Sequence, residues 1–287
     1  MSLSHLAMRQ IHANALLITF FIFRVFLLSF HLFFFLHLLF LSSHHKTTHY
    51  PIHNNRNKQH MLEMKKSFSE FYEKWISKLE EIHHQLLKAS KREMVMNEQE
   101  LQALVSKVTT HLKEYYTVKW NAAHEDVVVF FSPTWVTPLE NASLWITGWK
   151  PSTVFRVLEK FDMSDEEKKK IEGLKMKTKM EEEKVEGEME RQQVAMADLK
   201  MVKLAKISCR GRKDDARVDG LVDVALNGVF GGLEKVMKSS DCVRLKTVKG
   251  VLDVLSPIQS VHFLAAHIGM QLRLRQLGMN KITQKDP

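Results

Sequence analysis

Residues that break helices are scarce in this sequence. Its 287 residues include only 11 glycines and 6 prolines, whereas 45% are hydrophobic. Apolar residues recur at steps of three and four, and the strict alternation typical of strands is hard to find. The sequence therefore predicts an all-α protein, a bundle of roughly eight or nine helices with enough apolar surface to bury a core.

Cysteine is almost absent too. The two cysteines, Cys209 and Cys242, are too few for a disulfide framework and lack the C-x-x-C spacing of zinc and redox sites. Their number excludes the small secreted folds that disulfides hold together. We interpret both as reduced thiols of a protein in the nucleus and the cytoplasm.

Familiar catalytic motifs are missing from the whole chain. It contains no G-x-S-x-G, no G-x-x-x-x-G-K-[ST], no G-x-G-x-x-G and no H-E-x-x-H. We therefore predict that the protein is not an enzyme. The alternative is an active site that is assembled from distant residues without a recognisable motif.

A concentrated basic patch is also lacking, although the formal net charge is +9. The densest charged region, residues 162–191, mixes lysine runs with glutamate runs, which is typical of a solvated helix face. A basic leucine zipper would need a continuous Lys/Arg-rich helix that leads into heptads, and the chain has none. We therefore expect no direct contact with nucleic acid.

What the sequence does have, at its start, is a long apolar run over residues 15–41, inside an extension that covers residues 1–60. Three interpretations remain open. A membrane-spanning helix has the length but is disfavoured by three polar residues: Arg24, His31 and His37. A signal peptide would have a shorter apolar stretch and a cleavage site. The third interpretation is upstream untranslated sequence read in frame, with Met61 and Met64 as native starts; the protein would be membrane-anchored only if residues 15–41 are translated.

Amphipathic helices fill the remainder of the chain. A domain is predicted over residues 64–280, followed by a tail over 281–287. Helices are expected over residues 68–86, 101–115, 122–131, 139–146, 151–161, 164 to about 208, 221–233, 245–255 and 257–278, with a linker over 211–215. Ser164 with Glu167, and Ser256 with Gln259, match the capping box that begins a helix.

Candidate binding residues are aromatic or histidine side chains. Phe68, Trp135 and Trp149 are candidate structural or interface anchors, since aromatic residues lead at interfaces but more often belong to the core. His262 and His267 lie on the last predicted helix. Five residues at roughly 100° each separate them by about 140°, so they do not face one metal from one helix.

Three segments resemble the plant Delay-of-Germination family: residues 68–75 (FSEFYEKW), 111–158 and 244–278. The most specific pieces are Pro-x-Trp at 133–135, Trp-Ile-x-Gly-Trp-Lys-Pro at 145–151 and Arg-Leu-Lys-Thr at 244–247. The resemblance covers nearly everything after Met64, and the layout is similar to that of the standalone members. The same domain forms the C-terminal half of TGA-type basic leucine zipper (bZIP) transcription factors.

The resemblance implies a function that the residues alone do not reveal. It implies control of seed dormancy and abscisic acid signalling through the binding of type 2C protein phosphatases. It also implies haem binding through histidines, for which His262 and His267 are the candidates here. The alternative is a regulator of DNA-templated transcription that reaches DNA through TGA-type bZIP partners, because this chain lacks a basic region and a zipper of its own.

Overall fold

The computed structural model describes residues 53–91, 96–196 and 216–283. The described residues separate into two units, the first made of residues 53–56, 193–196 and 216–222, the second of residues 57–91, 96–192 and 223–283. We call the second the main unit. All of the contacts discussed below lie within it.

The described residues form eight α-helices and one short 3₁₀ turn at Pro151–Thr153. In chain order they are α1 (His53–Ser90), α2 (Glu98–Glu125), α3 (Val128–Phe131), α4 (Pro138–Ala142), α5 (Val154–Leu158), α6 (Asp165–Met196), α7 (Ala216–Leu252) and α8 (Pro257–Thr283). These three ranges contain no strand. The all-α prediction is confirmed.

Local capping explains where several helices begin. The backbone N–H of Ser164 donates to Glu167, and the N–H of Ser256 donates to Gln259, as the predicted capping boxes require. A third box precedes α4, where Thr137 and Glu140 satisfy each other's backbone N–H groups. These side chains replace the hydrogen-bond partners that the first turn of a helix lacks.

Three predicted short helices have different bounds in the structure. The one expected to run to residue 161 ends at Leu158. The expected helix over 122–131 is divided, because α2 continues to Glu125 and α3 begins only at Val128 after the extended residue Asp126. The helix expected over 139–146 ends at Ala142. Ile146 has a φ of 58°, a left-handed conformation that a right-handed helix does not contain.

Two predictions about the last third of the chain were wrong. The helices expected over 221–233 and 245–255 are parts of one helix, α7, which runs through the polar stretch between them. The last helix does not stop at Gly278 but continues to Thr283. An added Cβ at Gly278 would collide with the side chain of Thr137, so this glycine allows close packing against the start of α4.

The core of the main unit is built around α8, which packs against α2, α4 and α5. Its fully buried members include Val261, Phe263, Leu264 and Ile268. α1 and α2 are joined by a reciprocal pair: the Trp75 indole donates to the carbonyl of His111, while the His111 ring lies 3.0 Å from the carbonyl of Trp75. Residues from the interior of α1 and α2 and from the second half of α8 line one cavity together with residues of the 130–149 segment.

Some predictions concern residues outside the described ranges. They are the apolar segment 15–41, the part of the charged helix beyond residue 196 and the linker 211–215. Among the helices that are described, none combines the length and apolarity needed to cross a membrane.

Candidate functional site: an aromatic cavity beside a buried charge cluster

Residues 145–150, which we call the tryptophan loop, form a tight turn between α4 and the 3₁₀ turn. The backbone N–H of Trp145 donates to the carbonyl of Gly148 at 2.7 Å, and the N–H of Gly148 donates back at 3.2 Å. Ile146, inside the turn, has the left-handed backbone noted above. A β-branched residue rarely adopts that conformation, so the surrounding contacts must hold it there.

Arg244 of α7 provides the first of these contacts. Its Nε donates to the carbonyl of Trp149 at 2.7 Å, and one terminal nitrogen donates to the carbonyl of Trp145 at 2.6 Å. The other terminal nitrogen donates to Asp241 at 2.6 Å and to Ser240 at 2.9 Å. The guanidinium also lies over the Trp145 ring, 5.2 Å from its centroid. The planar guanidinium, with its five donors, therefore binds backbone carbonyls near both ends of the loop at the same time.

Lys119 of α2 holds the middle of the loop. Its ammonium donates to the carbonyl and the hydroxyl of Thr147, at 3.1 and 2.9 Å, and to Asp241 at 2.9 Å. We call Lys119, Asp241 and Arg244 the charge cluster; each has at most 1% of its surface exposed. The Trp120 indole donates to the second carboxylate oxygen of Asp241 at 3.0 Å. The cluster is thus buried and densely hydrogen-bonded.

Burial lowers the pKa of Lys119 to about 8. The positive charge of Arg244 acts in the same direction, while the carboxylate of Asp241 opposes both effects. A lysine with such a pKa can serve as a nucleophile in an open site. Here it is enclosed and its three donors point to Thr147 and Asp241, which favours a positioning role.

α6 fixes the other side of the tryptophan loop through two carboxylates. Glu186 accepts from the Trp145 indole at 2.7 Å and from Lys150 at 3.0 Å. Glu182 accepts from the backbone N–H of Ser152 at 2.6 Å. Burial raises the pKa of Glu182, and these hydrogen bonds oppose the shift. The loop is therefore held by α2, α6 and α7 together.

A cavity of about 140 Å³ lies beside the loop. Seven aromatic side chains line it: Tyr72, Trp75, Tyr115, Tyr116, Phe130, Trp135 and Trp149. Polar side chains enter its lining at Glu140, Ser143, Thr147, Asp241 and Gln271. A concave, mainly apolar site with a few polar groups is the usual form of a ligand or anchor pocket.

The three candidate anchors occupy different positions. Phe68 and Trp135 are both buried, and their rings lie 4.7 Å apart, so Phe68 supports the cavity wall to which Trp135 belongs. Trp149 is half-buried and lines the cavity directly. Their assignment as partner-binding residues stays a prediction, and the geometry makes Trp149 the one within reach of a partner.

The two candidate haem ligands lie on different sides of α8. His262 is exposed, whereas His267 has 4% of its surface exposed. Its ring stacks on Phe263, meets the edge of Trp149, and has Nε2 2.9 Å from the amide nitrogen of Gln271. Burial lowers the pKa of His267 to about 4. These two histidines do not fit one haem iron together, and haem binding stays a prediction.

The charge cluster is the functional feature that the sequence analysis missed. A signal for it exists, because Lys119 and Ala123 continue the helical spacing of the buried residues Val108 and Tyr116 on α2. In the sequence, Arg244 stands out only as part of the motif at 244–247. The structure brings two of the specific motifs together, since Arg244 from 244–247 binds the loop from 145–151.

Comparison with known proteins identifies relatives over most of the main unit. A family model described as seed dormancy control, DOG1, matches residues 78–160. Protein DOG1-like 4 of Arabidopsis thaliana is 50% identical over 220 residues, which cover 75% of this chain and 93% of that protein. Protein RESPONSE TO ABA AND SALT 1 of the same plant is 28% identical over 217 residues, 73% of this chain and 94% of that protein. Transcription factor TGA6, also from that plant, is 29% identical over 180 residues, 62% of this chain and 54% of that protein.

Proposed function

The chain belongs to the DOG1 seed dormancy control family, and we propose that it is a non-enzymatic regulatory protein that acts by binding other proteins. We place it in the control of seed dormancy and abscisic acid signalling, with type 2C protein phosphatases as its partners. The relative named for its response to ABA and salt supports this choice of process. We expect the protein in the nucleus and the cytoplasm.

The observation that carries the proposal is the fixed tryptophan loop beside an aromatic cavity. Binding energy at protein interfaces concentrates in a few aromatic or arginine side chains that are well packed and preorganised. Trp149 is half-buried, lines the cavity and has its backbone carbonyl fixed by Arg244. It therefore loses little conformational freedom when a partner covers it.

The charge cluster supports a binding function over a catalytic one. Its lysine, the residue whose pKa of about 8 would suit catalysis, is 1% exposed. Its donors act on Thr147 and Asp241, which are themselves buried. The hydrogen bonds of the cluster therefore stabilise the conformation of the tryptophan loop.

A second candidate function rests on the likeness to the TGA factors. The 180 matched residues are 54% of TGA6, so the likeness covers a domain and leaves nearly half of that protein unmatched. In this alternative, the chain binds TGA-type bZIP factors and regulates transcription through them. The same surface around Trp149 would serve, with a different partner.

Affinity purification of the full-length chain from imbibed seeds, with mass spectrometry of the bound proteins, tests both candidates. We compare the wild type with Trp149→Ala and with the control Phe230→Ala, which removes an exposed aromatic ring from α7. Type 2C phosphatases that are enriched with the wild type and the control, and lost with Trp149→Ala, support the first candidate. Enriched bZIP factors support the second, and the absence of any specific partner overturns the binding function.

A direct measurement then gives the size of the effect. With a purified type 2C phosphatase in a calorimeter, Trp149→Ala should raise Kd by roughly 30-fold or more, the effect of removing a hot-spot residue. Phe230→Ala should leave Kd within about twofold, since residues outside the hot spot contribute little. Equal affinity for the wild type and Trp149→Ala would remove Trp149 from the interface.

A further inference from the structure

The aromatic cavity has the size and lining of a small-molecule site. We propose that it binds an uncharged compound that has a single aromatic ring and one hydrogen-bond donor. This proposal goes beyond the protein-binding function and does not depend on it. Each of its elements comes from a separate property of the cavity: its volume, its walls, its charge and its polar groups.

The volume sets the size of the ligand. The cavity measures about 140 Å³. An engineered protein cavity of about 150 Å³ with apolar walls binds benzene, so a space of this size matches one aromatic ring. The compound is therefore close to phenol in size.

The walls favour an aromatic ligand over an aliphatic one. Seven aromatic side chains line the cavity. Aromatic rings gain up to about 1.5 kcal/mol per pair beyond area burial when they meet in offset or edge-to-face arrangements. Tyr72 of α1 and Tyr115 of α2 line the cavity together with Trp135 and Trp149 of the 130–149 segment. A ring in the cavity therefore has aromatic walls from several elements.

The charge of the lining excludes an anionic ligand. Among the described residues that line the cavity, none is Lys, Arg or His, while Glu140 and Asp241 are acidic. Asp241 is already paired with Lys119 and Arg244, and Glu140 is paired with Arg275. Because both carboxylates have cationic partners, the lining does not favour a cationic ligand either. Burial of an unpaired charge is expensive, and an uncharged ligand avoids this penalty.

The polar groups of the lining determine the donor. One carboxylate oxygen of Glu140 accepts from the backbone N–H of Thr137 at 2.7 Å and from Arg275 at 3.4 Å. A carboxylate has about four acceptor positions, so capacity for a further donor exists. Gln271 adds an amide whose nitrogen is engaged with His267. A hydroxyl on the ligand can therefore donate to an oxygen of the lining.

Calorimetric titration of the full-length protein with three probes tests the proposal. Phenol should bind saturably with a Kd on the order of 0.1–1 mM, a normal efficiency for about seven heavy atoms. Toluene lacks the hydroxyl and should bind roughly fivefold to tenfold more weakly, the effect of one hydrogen bond. Benzoate, which has the same ring and a negative charge, should show no saturable binding. Equal affinity for all three probes, or no saturation with phenol, overturns the proposal.

Two variants of one residue locate the binding in the cavity. Leu274 is half-buried on α8 and lines the cavity, so Leu274→Trp should fill the space and abolish phenol binding. The matched control Leu277→Trp adds the same ring at an exposed position of the same helix and should bind phenol as the wild type does. Leu274→Ala enlarges the space, so 2-naphthol should gain affinity relative to phenol. Phenol binding that survives Leu274→Trp would place the compound elsewhere.

The failure of this proposal can be distinguished from the failure of the proposed function. Phenol binding uses the purified chain alone, whereas partner binding is measured with a phosphatase or a bZIP factor. A chain that binds phosphatase but not phenol refutes only the cavity proposal. One that binds phenol but no partner refutes only the protein-binding function.

Discussion

Substitution of Gly148 by alanine tests whether Arg244 holds the tryptophan loop. A Cβ at this position would lie 2.9 Å from Cζ of Arg244 and 3.0 Å from its Nε. Real Cβ atoms do not approach other heavy atoms so closely, so either the loop or the guanidinium must move. The guanidinium is held by hydrogen bonds to two loop carbonyls and to Asp241, which leaves it little freedom.

The expected loss of stability follows from two effects. Overpacking of a buried site costs about 1–3 kcal/mol. Displacement of the loop would also weaken at least one hydrogen bond from the charged Arg244 to a carbonyl of Trp145 or Trp149, which adds about 1–2 kcal/mol. We therefore expect Gly148→Ala to lower the free energy of unfolding by about 2–5 kcal/mol, a fall in Tm of roughly 4–20 °C at about 2–4 °C per kcal/mol.

Urea denaturation followed by circular dichroism measures this change, and Gly173→Ala is the matched control. Gly173 lies inside α6, where an added Cβ would meet no heavy atom within 4 Å apart from its chain neighbours and the nearby backbone of its own helix. Alanine there should stabilise the protein by about 0.5–1 kcal/mol, because it favours the helix over the unfolded chain. If Gly148→Ala is as stable as the wild type and binds its partner equally well, the close contact with Arg244 does not constrain the loop.

Three further predictions concern other buried groups. Arg244→Lys keeps the charge but loses the planar fork, so it should destabilise the protein by about 2–4 kcal/mol and accelerate amide exchange in residues 145–150. Gly278→Ala should cost about 1–3 kcal/mol in urea denaturation, because the methyl group meets the buried Thr137 side chain. Burial lowers the pKa of His267 from 6.5 to about 4, so its unfolded form binds a proton first as the pH falls. The contribution of neutral His267 to the free energy of unfolding is therefore fully present above about pH 6.5 and is lost progressively towards pH 4. The free energy of unfolding should fall by about 2 kcal/mol between pH 7.5 and 5, and by less in His267→Gln.

Local sequence signals predicted the helices and their starts well. The capping boxes at Ser164 and Ser256 depend on residues three apart, and both are present in the structure. Helical spacing of apolar residues identified the buried face of α1, from Phe68 to Leu86. Short-range patterns of this kind involve only a few neighbouring residues, which explains why the sequence reveals them.

The interior of α7 shows what such patterns miss. The polar stretch around Ser240 and Asp241 resembles a break between two helices, yet both residues are fully buried. Asp241 is satisfied by Lys119, 122 positions earlier in the chain. A hydropathy pattern shows that a residue is polar, but it does not show which distant residue will be its hydrogen-bond or ion-pair partner. The charge cluster and the cavity next to it depend on such long-range pairs, and only the tertiary structure reveals them.

The placement of charges inside the main unit indicates that their role is to specify shape. A buried ion pair adds little net stability, because the loss of hydration offsets most of the Coulombic attraction. The cluster nevertheless donates hydrogen bonds to three backbone carbonyls of one loop, those of Trp145, Thr147 and Trp149. Apolar side chains of similar volume could fill the same space, but they would leave these carbonyls without partners and Ile146 without support for its left-handed backbone. Replacement of Lys119 by methionine should therefore move the loop and weaken partner binding through Trp149. These effects should be larger than the loss of one ion pair alone would produce.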